Sequence, residues 1–237
     1  MSRFLAPIHS WLFNKIKLHE ELESEVISRF VSKYGDDVYE IERSSINKYG
    51  ERIPQAPLED IIDQNNIHGW LQNKISIAET RQAGILADLF NIYKNDAVEL
   101  VKDVYIENAI KNANLARESV QAFTPEDIFK VINNFILDGM PCDSVNKIIE
   151  SNDDLLEYEK VSCLHIDYWR SVGVDANIMY DLRHAWIGAF VSTLNPDFEY
   201  KIEGSLHKII KNNRIKNVIL SACEGFKCRV FNFLLLE

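Results

Sequence analysis

"IHSWLFNKI", Ile8 to Ile16, returns further along the chain as "IHGWLQNKI", Ile67 to Ile75. The offset is 67 − 8 = 59 residues, and only Ser10/Gly69 and Phe13/Gln72 differ. Laying residues 8–37 over 67–96 extends the match to Glu20/Glu79, Tyr34/Tyr93 and Asp37/Asp96, with similar residues at Val26/Ile85, Ile27/Leu86 and Phe30/Leu89. Pro7 stands just ahead of the first copy, where a helix tolerates proline, and Gly35 follows it, where a helix commonly stops. Each copy therefore reads as one helix of about 28 residues, about 40 Å long at about 1.5 Å per residue.

At about 100° per residue, Leu12, Ile16 and Glu20 share a face with His9, while Trp11, Asn14 and Lys15 lie elsewhere. Identical letters thus surround the helix, and more than one face is expected to be packed. Trp11 and Trp70 are expected to be largely buried. The spacing predicts an antiparallel pair about a local two-fold, with Ile16 and Ile75 at the crossing. His9 would then meet Glu79, and His68 would meet Glu20. The same four residues, His9, Glu20, His68 and Glu79, form the alternative reading of a metal site, because helix bundles bind metals with inward Glu and His.

Between the copies lies a polar stretch with Gly50, Pro54 and Pro57, read as a long connection with a short helical piece over residues 57–63. Residues 96–119 have apolar positions at helical spacing. "TPEDIFKVINNFILDG" opens with Thr124 as N-cap and Pro125 at the first helical position, and closes at Gly139. The texture then changes. "SVNKIIESNDDLLEYEKVSCLH" suggests a hairpin, "IDYWRSVG" a short helix and "DANIMYDLRHAWIGAFVSTLNP" a longer one. "DFEYKIEGSLHKII", "KNVILSACEG" and "KCRVFNFLLLE" are β-like. The fold class is α+β: a helical region over 1–122 carrying the duplication (8–37 and 67–96), then an α+β ligand-binding or hydrolase-like region over 123–237 with a small antiparallel sheet.

The 237 residues carry a net charge of −10, which argues against a nucleic-acid surface. No apolar run approaches the roughly 20 residues that span a bilayer, so no membrane partner is expected. The N-terminus does not read as a signal peptide. A cytoplasmic location with reduced thiols at Cys142, Cys163, Cys223 and Cys228 follows as the expectation. Cys223 and Cys228 lack the second pair that a zinc site would need. The sequence names no cofactor.

His precedes Trp by two positions at His9/Trp11, His68/Trp70 and His184/Trp186, and by four at His165/Trp169. Only the last spacing makes helix neighbours. Such residues suit the wall of a flat ligand's pocket, haem included, which gives the reading of a non-catalytic binding or sensing protein. The repeated helices give a third reading, a helical protein that forms homo-oligomers.

The titratable chemistry concentrates in Val161 to Leu206. Cys163 has His165 close behind it, and a thiolate nucleophile needs a nearby base or cation. Asp181 and His184 share a helix face, which suits a general base. Arg183 offers a planar fork for a substrate carboxylate. Within this stretch Cys163, Gly173, Asp181 and Asn195-Pro196 follow the order of a known pattern. The segment resembles the L-2-amino-thiazoline-4-carboxylic acid hydrolase-like family, with Tyr180 where that pattern has a second Cys. The resemblance implies a hydrolase that opens a small, carboxylate-bearing, cysteine-derived heterocycle at a C–N bond. Cys163, Asp181 and His184 would be catalytic, and Arg183, His165 and Trp169 would bind the substrate.

Overall fold

The computed structural model describes residues 5–212 and has the α+β architecture. Helix α1 (Pro7–Tyr34) ends at Gly35, whose φ of 89° lies where glycine is favoured. After α2 (Val38–Tyr49) and the short α3 (Leu58–Ile61), α4 (Ile67–Tyr93) starts under a cap in which the Asn66 side chain accepts from the Gly69 N–H. A reversal at Lys94 leads into α5 (Asn95–Ser119). Helix α6 (Pro125–Ile132) has the expected Thr124 cap, reciprocated by Asp127, but stops seven residues before Gly139. Two hairpins follow, β1 (Asn146–Ser151) with β2 (Leu155–Lys160) and β3 (Phe198–Glu203) with β4 (Leu206–Lys211). Between them run α7 (Ile166–Val172) and α8 (Ala176–Leu194). The sheet is antiparallel in the order β1-β2-β4-β3. Among the described residues no helix is long and apolar enough to cross a membrane. The β-like stretches beyond residue 212, with Cys223 and Cys228, lie outside the described residues.

The two repeat helices pack in parallel, which corrects the antiparallel expectation. At one end the rings of His9 and His68 lie 5.5 Å apart, and at the other Tyr34 stacks on Tyr93 at 4.0 Å. Equivalent residues therefore meet at the same level. Leu12/Leu71, Ile16/Ile75, Val26/Ile85, Ile27/Leu86 and Phe30/Leu89 are all buried. His9 does not meet Glu79. Its Nδ1 instead accepts from the Ala6 N–H at the start of α1. The physical reason for the parallel sense is α2, which the polar pattern concealed. It folds back beside α1 and α4, so α4 starts at the end where α1 starts. Only Val38 and Ser45 of α2 are buried, too narrow an apolar stripe to stand out in the sequence.

Parallel packing places the Glu20 and Glu79 carboxylates inside together. Arg81, fully buried, stands where the first copy has Leu22. It donates to Glu20 at 2.8 Å, to both oxygens of Glu23 at 3.0 and 3.1 Å, and to the Gly50 carbonyl. The Ile53 N–H adds a donor to Glu20, and Arg52 ties Glu23 to Glu42. This network clips the connection after α2 onto the helix pair. Trp11 and Trp70 are half-buried rather than largely buried. The Lys15 ammonium lies 4.0 Å from the Trp11 ring centre, and the Trp11 indole donates to Asn134 at 2.8 Å. An indole with a polar partner belongs at the core's edge.

A continuous core joins the repeat helices to the rest. Phe30, Leu86, Val101, Ala109, Phe190, Leu156 and Ile209 belong to one buried cluster, in which α5 packs along α8. The inner sheet face offers Leu156, Tyr158, His207, Ile209 and Phe198. The outer face pairs Lys208 with Glu157 and Glu203. Arg81→Met should lower the unfolding free energy by about 3–5 kcal/mol, because it takes the shared guanidinium from two buried carboxylates and leaves Glu20 with no cation. Urea denaturation reads this. A loss below about 1 kcal/mol, the worth of an exposed pair, would show the network to be solvated. Phe30→Ala, a pure cavity, should cost a similar 3–5 kcal/mol or so.

Candidate functional site

The chain from α6 to β1 brings Asp138 under α7, where it meets groups from three other elements. His165, at the N-cap of α7, faces Asp138 through Nε2 at 3.0 Å and Glu79 through Nδ1 at 2.9 Å. Both partners are carboxylates, so each ring nitrogen faces an acceptor. Lys160, the last residue of β2, reaches Asp138 at 2.6 Å. Arg183 on α8 reaches it at 3.1 Å and also donates to the Leu137 carbonyl. The His165 ring is pinned by stacking on Trp169, one helical turn on, at 5.4 Å. Glu79, Asp138 and His165 are all nearly shielded from water.

The charges settle accordingly. Burial acts to raise the Glu79 carboxyl, but the charge and hydrogen bond of His165 override it and hold it at about 2. Burial opposes ionisation of Asp138 too, and Lys160, His165 and Arg183 hold it well below the usual carboxylate range. On α1, burial lowers the Lys15 ammonium to about 8 against the pull of Asp138.

Beside this row opens a cavity of about 470 Å³, bounded by the end of β2, the loop into α7, one face of α8 and the β3–β4 turn. Its chemistry comes from Cys163, Lys160, Tyr180, Arg183, His184 and His207. Burial, with the neighbouring Cys163 thiol adding to it, raises the Tyr180 hydroxyl to about 12, so it remains a proton donor. The Tyr180 ring stacks on His184 at 6.2 Å. His184 lies edge-on to His207 at 5.6 Å. Burial, then the Arg183 charge, lowers His184, with Asp181 opposing. Burial lowers His207 to about 4, and its Nδ1 lies 2.5 Å from the Tyr200 hydroxyl. Both imidazoles are therefore neutral near pH 7, and the fixed positive charges at the cavity are Lys160 and Arg183.

Of the residues expected at a site, Cys163, Arg183, His184 and His165 border this one cavity. Asp181 is exposed and does not border it, although it influences His184 from the solvent side. His165 borders it but has both nitrogens engaged. Trp169 is buried behind His165 and faces a different crevice. Strand β2 ends at Lys160, and Cys163 sits in the loop that follows it. The alternative metal set is dispersed. Glu20 is held by Arg81 and Glu79 by His165, both away from the His9/His68 pair. Among the described residues no group of three or more His, Cys, Asp and Glu is arranged to hold a metal ion.

Lys160, Asp138, Tyr180 and His207 were not anticipated as site residues. Asp138 and Lys160 lie at element ends, and no sequence spacing links them.

Acid should destabilise the protein in two steps. Histidines whose folded values are lowered give stability that is full above about 6.5 and lost as pH falls toward 4, the His207 value. The depressed Glu79 gives stability that is full above its unfolded value of about 4.5 and lost as pH falls through about 2. Melting temperatures across this range should fall in both windows. A flat profile between pH 6.5 and 4 would mean that the histidines are solvated.

No protein-family model, curated protein or solved structure matches the chain.

Proposed function

We propose that the cavity binds a small carboxylate-bearing molecule and that Cys163 attacks it in a hydrolysis, in line with the resemblance to enzymes that open cysteine-derived heterocycles. The observation that supports this reading is that a thiol, a neutral imidazole, a phenol donor and two cations border one cavity of suitable size. Arg183 and Lys160 keep donors beyond those given to Asp138, and these are free to receive a carboxylate. His184 takes the thiol proton as the Cys163 sulfur bonds to the substrate's C=N carbon. It returns that proton to the ring nitrogen; the exocyclic amino group then expels this nitrogen, and the proton it sheds in becoming C=NH passes through His184 to the leaving amine as the C–N bond breaks. Water adds to the same carbon, the bond to the Cys163 sulfur breaks as that carbon becomes a carbonyl, and the thiol regains its proton.

A second reading, carboxylate binding without catalysis, is favoured by the outward placement of Asp181. It leaves His184 without a carboxylate to orient it at the cavity.

Incubating the protein with 2-aminothiazoline-4-carboxylate separates the two. Turnover that is lost in Cys163→Ala, while calorimetric binding persists, supports the hydrolase. Binding without turnover supports the second reading. Under either reading Arg183→Ala should weaken binding by about ten- to a hundredfold, the worth of one or two charge-assisted hydrogen bonds. Unchanged affinity would remove Arg183 from the site. Alkylation of Cys163 by iodoacetamide should slow when the carboxylate ligand is present. An unaltered rate would place the ligand elsewhere.

A further inference from the structure

The molecule contains a second, narrower crevice, separate from the cavity beside Cys163. It runs between α1, α5, the 133–137 segment and α8, and its free volume is about 40 Å³. That is room for about three water-sized spheres. Phe135, Trp169 and Trp186 give it aromatic walls, aliphatic side chains such as Leu18, Leu22 and Met179 add to them, and polar groups from α1, α4, α5 and α8 complete the lining.

Most of those groups are already matched. Asn108 donates to Glu25 and accepts from the Trp186 indole. Gln82 donates to the His19 carbonyl and accepts from Tyr105. Glu79 is paired with His165, and Arg183 with Asp138. The exception is His19. Its Nε2 is shielded from solvent and has no hydrogen-bond partner. Burial lowers its proton affinity, so the ring is neutral. Leaving such an atom unmatched costs about 1–3 kcal/mol, and an aliphatic residue would have filled the position without that cost. The equivalent position in the second repeat copy is Ala78, so the helix pairing does not require a histidine there.

We propose that this crevice is a second ligand site, for a small, uncharged, planar molecule of the amide type that hydrogen-bonds His19 Nε2 and lies against Trp186. Charge selects against ions, because every charged group at the crevice already has its counter-charge. Size limits the ligand to a few non-hydrogen atoms, and the indole walls favour a flat one.

Acetamide and its charged isostere acetate test this by NMR on the full chain. Acetamide should give saturable shifts of the Trp186 indole N–H and the His19 ring, with contacts from its methyl group to the Trp186 ring. Acetate should give neither. His19→Ala, which enlarges the crevice but removes the hydrogen bond, should bind acetamide about tenfold more weakly. His19→Phe, which fills the space, should not bind it. Should either variant fail to fold, the methyl contacts in the unaltered protein decide. Equal effects of acetamide and acetate would overturn the proposal. So would shifts that do not saturate, undiminished affinity in the variants, or a crevice occupied by water alone.

Discussion

Each copy of the repeat buries a carboxylate at the same level of the helix pair, Glu20 on α1 and Glu79 on α4. A buried carboxylate without a partner is not tolerated, so each copy must recruit one. The two solve this differently. Glu20 is answered from within the pair by Arg81, a position at which the copies diverge from Leu to Arg. Glu79 is answered from outside by His165, which the chain supplies 86 residues later. The first solution locks the N-terminal helices together. The second locks those helices to the C-terminal part, and the position of the Cys163 cavity depends on it.

That dependence is direct. His165 is held by Glu79 on one side and Trp169 beneath, and it holds Asp138 on the other side. Asp138 in turn fixes the cations Lys160 and Arg183 at the cavity wall. Electrostatic preorganisation of this kind needs charges held by packing and hydrogen bonds, not by flexible side chains in water. The row resembles a catalytic carboxylate–histidine pair in composition. With both nitrogens engaged it serves as a brace, and the neutral imidazoles at the cavity are those of His184 and His207.

Much of the fold was legible in the letters. The long helices, the Thr124 cap, the first hairpin and the β character of β3 and β4 each rest on local signals: a repeated nine-residue phrase, an N-cap followed by proline, and short apolar runs around turn residues. What was not legible depends on tertiary placement. The repeat is equally compatible with parallel and antiparallel pairing, and the deciding element, α2, exposes most of its surface. The site was half legible. Cys163, Arg183 and His184 sit near one another in sequence and share a cavity. Asp138 and Lys160 carry no pattern because they act through the ends of elements that only the folded chain brings together. Asp181 shows the limit of helical spacing, since sharing a face with His184 does not decide which side of the helix the cavity takes.

The parallel sense of the repeat has a consequence for how the chain folds. Antiparallel neighbours can zip from a short turn, whereas equivalent residues in this pair always lie 59 positions apart, and every contact between them closes a loop of about that length. The closure entropy grows only slowly with loop length, by about 0.6 kcal/mol for each doubling, but none of it is recovered until both helices are in place. Local hairpins such as β3–β4 have no such wait. Contacts at long sequence separation slow folding, so the duplicated helices, the most conspicuous feature of the sequence, lock after the local hairpins.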